Sequence, residues 1–310
     1  MNGKEMAPVF VVGMPRSGTT LLSNMLNASK QVFIGPETHL YPLYTNWIRK
    51  KNSLSFADFY FKENPFIVYF DYSDQEIKAL YDKAVKETDP SKILKIVCEH
   101  AARTANIDRW GEKTPDHLFS IKKITEDFPH AKILNIMRDP RDVYMSTLRA
   151  DWGESEDKLP YFFWKKYKKN NRLVRSYVHN ACFLTIKYED IISSPKKLLP
   201  EICAFLEIEY KPEMITAFQS SENLNFNSKK EPWKANNAGG LKSGNFSKWK
   251  TDKKNFDLHA YLSKKLKTEI DFWGYESLDF SSTLKYAFLE MKYGAAGLKY
   301  KIKNKLKKIY

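Results

Sequence analysis

Pro8-Val9-Phe10-Val11-Val12-Gly13-Met14-Pro15-Arg16-Ser17-Gly18-Thr19-Thr20 is the stretch on which the fold turns, an apolar run long enough for one buried strand followed by a glycine loop. Leu21 to Leu26 continue with apolar residues at helical spacing, so the loop sits where a strand ends and a helix starts. The unpaired N–H groups and dipole of a helix start attract an anion. A loop that holds nucleoside triphosphates reads G-x-x-x-x-G-K-[ST], with the lysine reaching the outer phosphates and the hydroxyl holding magnesium. Gly13 and Gly18 keep that glycine spacing, but Thr19 stands in the lysine position. Arg16 and the hydroxyls of Ser17, Thr19 and Thr20 add donors, so the loop suits a phosphate-bearing ligand that needs no metal. The plain alternative is a glycine turn between strand and helix. The coincidence of strand, spacing, arginine and hydroxyls weighs against it.

A second cluster follows at Lys132-Ile-Leu-Asn-Ile-Met-Arg138-Asp139-Pro140-Arg141-Asp142-Val-Tyr-Met-Ser146. Residues 132 to 137 suit a short buried parallel strand, and Asp139 and Pro140 read as N-cap and first position of the next helix. Arg138 therefore leaves the carboxyl end of a strand, where open α/β sheets bind ligands, and a guanidinium there can grip a phosphate with two parallel donors. Ser146 lies eight residues on, about two helical turns in. The alternative is that Arg138 and Arg141 only pair with Asp139 and Asp142 at the helix start.

Gly13 to Leu22 resembles the 5′-phosphosulfate loop of sulfotransferases that use 3′-phosphoadenylyl sulfate (PAPS), most nearly the tyrosylprotein sulfotransferase branch and its bacterial relatives. The resemblance implies that Arg16, Ser17, Gly18, Thr19 and Thr20 hold the 5′-phosphosulfate and that Arg138 and Ser146 hold the 3′-phosphate, with Arg16 also serving catalysis. In Gly35-Pro36-Glu37-Thr38-His39, which ends a strand and begins a helix, the family pattern makes Glu37 the general base, with His39 in reserve. In Glu112-Lys113-Thr114-Pro115, where Thr114 and Pro115 read as another N-cap and first helical position, it makes Lys113 the group that steadies charge on the departing phosphate oxygen. Tyr188, in Tyr188-Glu189-Asp190, resembles a family tyrosine near the nucleotide. Lys248, in Asn245-Phe246-Ser247-Lys248-Trp249, resembles a late segment that closes over PAPS after a lid at Asn236 to Gly244. The resemblance covers residues 8 to 250, and the two nucleotide clusters are its specific part.

Strand signals near 8–12, 31–34, 108–112, 132–137 and 182–187 alternate with helical patterns. This predicts an α/β fold of the P-loop three-layer type, a central parallel sheet flanked by helices. Residues 38–106 carry no strand signal and read as a helical insertion shaping the acceptor side, inside a sulfotransferase domain over 1–280; residues 281–310 form a basic tail. Cys98, Cys182 and Cys203 are odd in number and scattered, which argues against a disulfide framework or a metal site. Met1 to Ala7 resemble no signal peptide, so the expected location is cytoplasmic, with peripheral contact at a membrane.

The net charge is +14, and residues 281–310 hold eight lysines against one glutamate. There Leu284, Phe288, Met291, Ala295, Leu298, Ile302, Leu306 and Ile309 recur at steps of three and four, the stripe of a basic amphipathic helix that either lies on an anionic membrane or docks on its own domain. A second basic run, Lys165 to Arg175, reads as a solvated helix face. No DNA or RNA recognition motif accompanies either run, so nucleic acid is not an expected partner. The activity implied is transfer of a sulfuryl group from PAPS to an acceptor hydroxyl without a metal, the acceptor being a carbohydrate or glycolipid. Peptide tyrosine or a small phenol is the alternative acceptor. A P-loop kinase, disfavoured by Thr19, and a non-catalytic nucleotide-binding scaffold are the alternative functions.

Overall fold

The computed structural model describes residues 6–51, 53–64, 67, 70, 72–150, 156–216, 246–278 and 282–306. The chain divides into two compact units, one of Met1–Gly13, Ser17–Met137 and Tyr177–Lys242, the other of Met14–Arg16, Arg138–Ser176 and Ser243–Tyr310.

The first unit is built on five parallel strands, β1 (Val9–Gly13), β2 (Phe33–Ile34), β3 (Trp110–Glu112), β4 (Lys132–Met137) and β5 (Phe183–Lys187), in the order β2-β3-β1-β4-β5. All five coincide with the runs expected from sequence. Val9 to Val12 have no exposed surface, and neither do Ile133 and Leu134, in register with Phe10 and Val11, or Ile136, in register with Gly13. Burial on both faces is what a continuous apolar run demands of a parallel strand. Parallel neighbours need long crossovers, and helices supply them: α1 (Thr19–Ala28), α2 (Leu40–Lys50), α3 (Phe56–Asp58), α4 (Asp74–Ala84), α5 (Pro90–Thr104) and α6 (Ile121–Asp127). The stretch 38–106 is thus helical among its described residues, with starts written locally. Ser73 and Glu76 form a capping box on α4, and Asp89 with Pro90 caps α5.

The second unit contains α7 (Pro140–Leu148) and most of α8 (Pro160–Tyr177). Asp139 caps α7 as expected, its side chain accepting from the Arg141 amide at 2.9 Å. The chain then returns to the first unit for β5, α9 (Tyr188–Ser193), α10 (Pro195–Leu206) and α11 (Glu213–Thr216). It ends in the second unit with α12 (Phe256–Lys265), α13 (Lys267–Phe272) and α14 (Thr283–Leu306). The proposed lid at 236–244 lies outside the described residues. No described helix is long and apolar enough to cross a membrane. Cys98, Cys182 and Cys203 carry free thiols.

Two local expectations shift. The helix expected to begin within Glu37-Thr38-His39 starts at Leu40, with His39 at the cap position in left-handed geometry (φ 50°). The helix expected after Thr114 is a 3-10 helix, Pro115–Ser120, with no side-chain cap; the Thr114 hydroxyl donates to Glu112 Oε1 at 2.5 Å.

Candidate active site

Because the strands run parallel, their carboxyl ends share one edge of the sheet, and the sequence-predicted residues follow those ends. Ser17 and Gly18 come after β1, Glu37 after β2, Lys113 directly after β3, Arg138 directly after β4 and Tyr188 directly after β5.

In the first unit, the cradle after β1 enters α1 at Gly18, whose φ of 103° a side chain adopts only at a cost. A Cβ on Gly18 would also lie 2.4 Å from Cδ2 of Tyr188, so the residue has to be glycine for the tyrosine ring to lie against the loop. Ser17 is 1% exposed, and its hydroxyl has no hydrogen-bond partner among the described residues. A buried hydroxyl left so costs free energy, and at the mouth of α1 it fits an anion held by the loop. Thr19 is buried and Thr20 half-buried in the first turn of α1.

The same unit brings Glu37, His39 and Lys113 together. Lys113 Nζ forms a short ion pair with Glu37 Oε1, and His39 Nε2 lies 3.3 Å from Glu37 Oε2. Lys113 is 3% exposed, so its charge is sunk beside the carboxylate and aimed by it.

Beneath this trio lies a residue that sequence reasoning quoted without giving it a role. Glu112 is fully buried at the end of β3. Its Oε1 accepts from the Thr38 amide (3.2 Å), the Thr38 hydroxyl (2.9 Å) and the Thr114 hydroxyl (2.5 Å), and its Oε2 accepts from the Thr114 amide (3.0 Å). His117 Nδ1 lies 2.7 Å from Oε2, close but off the hydrogen-bond line, while Nε2 accepts from the Tyr41 amide at 3.4 Å. Thr38 follows Glu37 and Thr114 follows Lys113, so one carboxylate fastens both catalytic candidates' segments; the His39 amide, donating to Thr114 Oγ1 at 3.1 Å, closes the link. Burial alone would raise the Glu112 carboxyl, but the adjacent His117 and the threonine donors outweigh it and hold the group below its ordinary value. Only its place beside Lys113 could have drawn attention to Glu112 among 37 acidic residues.

In the second unit, Arg16, Arg138 and Ser146 converge. Arg16 Nε donates to Ser146 Oγ at 3.2 Å, and Arg138 Nη1 donates to the Arg16 carbonyl at 3.0 Å. Arg16 holds φ 71°, a left-handed conformation costing about 1–2 kcal/mol for a residue with a side chain. The Arg138 carbonyl accepts from the Tyr167 hydroxyl at 2.9 Å. The alternative offered by the sequence, pairing within the helix start, is seen at Arg141. Arg141 has no exposed surface and grips Asp139 with two bonds, Nε to Oδ1 at 2.9 Å and Nη2 to Oδ2 at 2.7 Å. Its guanidinium lies 3.5 Å from the centre of the Trp249 ring, and Nη1 and Nη2 also reach Ser263 Oγ (3.1 Å) and the Glu276 carbonyl (2.7 Å). Asp142, which burial pushes up in pKa against the pull of Arg138, accepts from the Trp249 amide at 3.1 Å. Trp249 is thus the anchor of the Ser247-Lys248-Trp249 turn, and Lys248 is exposed beside it.

Residues 8–212 match the profile of the family described as "Sulfotransferase family". The chain is 24% identical to a protein-tyrosine sulfotransferase of Drosophila melanogaster, over 68% of this chain and 40% of that one. It is 25% identical to the omega-hydroxy-beta-dihydromenaquinone-9 sulfotransferase of Mycobacterium bovis, over 61% and 60%. The chain therefore spans less than two thirds of the length of both curated relatives. Among solved structures, the sulfotransferase domain of the Synechococcus PCC 7002 olefin synthase matches at a TM-score of 0.64 and 21% identity, covering 90% of this chain and 98% of that domain, and shares the fold.

Proposed function

We propose that this chain, which belongs to the sulfotransferase family, moves a sulfuryl group from PAPS to an acceptor hydroxyl. The observation that carries the reading is the second unit's cluster, in which Arg16 meets Arg138 and Ser146, 122 and 130 residues further along the sequence. A guanidinium and a hydroxyl brought together through Arg16 form a donor set for a phosphate, and we assign Arg138 and Ser146 to the 3′-phosphate of PAPS. Ser17, Gly18, Thr19 and Thr20, with the covalently adjacent Arg16, are assigned to the 5′-phosphosulfate. The buried Ser17 hydroxyl and the side-chain-free approach at Gly18 support that fit. Tyr188 lies against the loop as a wall for the nucleotide, and Lys248 is assigned a contact with it from the Trp249-anchored turn.

Glu37 is assigned as the base that takes the proton of the acceptor hydroxyl as the oxygen attacks sulfur and the bond from sulfur to the phosphate oxygen breaks. Its contact with His39 gives that proton a second acceptor. Lys113, an ammonium with three donors, stabilises the charge left on the departing oxygen. The products are a sulfate ester and adenosine 3′,5′-bisphosphate. By analogy with phosphoryl transfer, rate comes from positioning and electrostatics, which gives the Glu112 clamp its importance.

For the acceptor we favour a hydroxyl on a glycan or glycolipid, a choice supported by the basic tail. A phenolic hydroxyl of peptide tyrosine is the second reading, favoured by the name of the Drosophila relative. Incubation with sulfur-labelled PAPS, a chelator and a panel of glycolipids, oligosaccharides and tyrosine peptides tests both. Labelled glycolipid or glycan supports the first, labelled peptide the second, and no labelled acceptor overturns the assignment as a transferase.

A further inference from the structure

We propose that the outer face of α14 is a docking surface for an anionic lipid bilayer, on which the helix lies in the plane of the headgroups. The helix carries two faces. Tyr286, Leu289, Tyr293, Gly297 and Tyr300 form the inner one. Tyr293 and Tyr286 pack on Tyr261 of α12, with ring centres 4.8 and 5.8 Å away, and Tyr300 packs on Phe162 of α8 at 5.7 Å. Leu289 is buried, and a Cβ on Gly297 would lie 2.6 Å from the Tyr161 ring, so glycine there permits close approach to α8. Lys265 pairs with Glu290 at 2.5 Å along this face.

The apolar stripe picked out by the three-and-four spacing is not the face that packs on α12 and α8. At about 100° per residue, Leu284, Phe288, Met291, Leu298 and Ile302 point about 180° away from the tyrosines. They are exposed by 85, 59, 68, 60 and 52%. Isolated exposed leucines are ordinary, but five large side chains aligned over about 27 Å of one helix face form a continuous patch.

Charge identifies the occupant. Lys292 and Lys299 flank the stripe on one side and Lys301 on the other, all exposed. Residues 281–310 hold eight lysines and a single acidic group, Glu290, which is held by Lys265 on the inner face. A second copy of the helix laid on this stripe would bring lysines against lysines, whereas an anionic headgroup layer meets them and takes the apolar side chains below it. No described helix is fit to cross the bilayer, so the contact is peripheral.

The inference goes beyond sulfuryl transfer, because vesicle binding needs neither donor nor acceptor. The test is co-sedimentation of the full chain with vesicles of phosphatidylcholine alone and with roughly one-third phosphatidylglycerol, at low and high salt. The expected result is binding to the anionic vesicles that weakens with salt, and at least about tenfold weaker binding to the neutral ones. A Phe288→Glu and Met291→Glu double variant alters only exposed side chains, so its melting temperature and its affinity for adenosine 3′,5′-bisphosphate should stay unchanged while anionic-vesicle binding falls at least about tenfold. Wild-type protein that ignores both vesicles, or a double variant that binds like wild type, overturns the proposal. So does a dimer seen by ultracentrifugation that the double variant dissolves, since that assigns the stripe to a second copy.

Discussion

Replacing Glu112 by glutamine changes one atom and tests whether a buried carboxylate positions Glu37 and Lys113, the pair proposed for catalysis. In Glu112→Gln the amide oxygen can keep the place of Oε1, where the Thr38 amide and the Thr38 and Thr114 hydroxyls donate. The NH2 group then faces the Thr114 amide and His117 Nδ1, so donors meet donors in a site with no exposed surface. A buried donor stripped of its acceptor costs about 1–3 kcal/mol, and with the lost charge we expect a destabilisation of about 3 kcal/mol. At about 1.5 °C per kcal/mol for a chain of 310 residues, the melting temperature should fall by about 5 °C. Because Thr38 and Thr114 adjoin Glu37 and Lys113, turnover should fall by about tenfold to a hundredfold at temperatures where the variant remains folded. The folded Glu112 carboxyl sits below its ordinary value of 4.5, so its contribution to stability is present above that pH and is lost as pH drops through the folded value. Calorimetric melting between neutral and about pH 3 should therefore show the wild type losing stability more steeply than Glu112→Gln. A variant that melts and turns over like wild type, with parallel pH curves, would refute the clamp.

Arg141→Lys keeps the charge but loses the two-pronged grip on Asp139 and the stack on Trp249, so it should lower the melting temperature by an amount equivalent to about 3 kcal/mol. Calorimetry on the folded variant should still give an affinity for adenosine 3′,5′-bisphosphate within about twofold of wild type, since Arg141 is a structural arginine. Gly18→Ala combines a φ of 103° with a contact of 2.4 Å to the Tyr188 ring, and should weaken nucleotide binding by at least about tenfold. Adding Tyr188→Ala relieves the clash but not the backbone strain, so melting should recover only in part. Glu37→Gln leaves Lys113 and His39 an acceptor; it should keep bisphosphate affinity while single-turnover transfer falls by at least about a hundredfold. Equal loss of affinity and turnover would count against Glu37 as the base.

All five strands were legible, four of them as short runs of mostly apolar residues bounded by polar or glycine signals, and Asp139-Pro140 spelled out a helix start. Strand order was not legible, since nothing local tells β1 to lie between β3 and β4. The convergence of Arg16 on Ser146 was only implied by the resemblance, because it depends on the left-handed turn at Arg16. Glu112 was hidden for a different reason: its role comes from four threonine donors on two separate segments, and no spacing rule links positions 38 and 114. In the tail, hydropathy selected the stripe that faces outward. The face packed on α12 and α8 carries tyrosines at 286, 293 and 300, a seven-residue recurrence that a hydropathy reading passes over because the hydroxyl masks the ring.

The central claim is that Arg138 and Ser146, held together through Arg16, read the 3′-phosphate that distinguishes PAPS from ordinary adenine nucleotides. It is tested most directly by titrating the protein calorimetrically with adenosine 3′,5′-bisphosphate and, separately, with adenosine 5′-monophosphate, which lacks the 3′-phosphate. With charge-assisted bonds at about 1.5–3 kcal/mol each, the account predicts a preference of about a hundredfold for the bisphosphate. Arg138→Ala should abolish most of that preference without lowering affinity for the monophosphate. Equal affinity for the two nucleotides in the wild type, or a preference that survives Arg138→Ala, contradicts it.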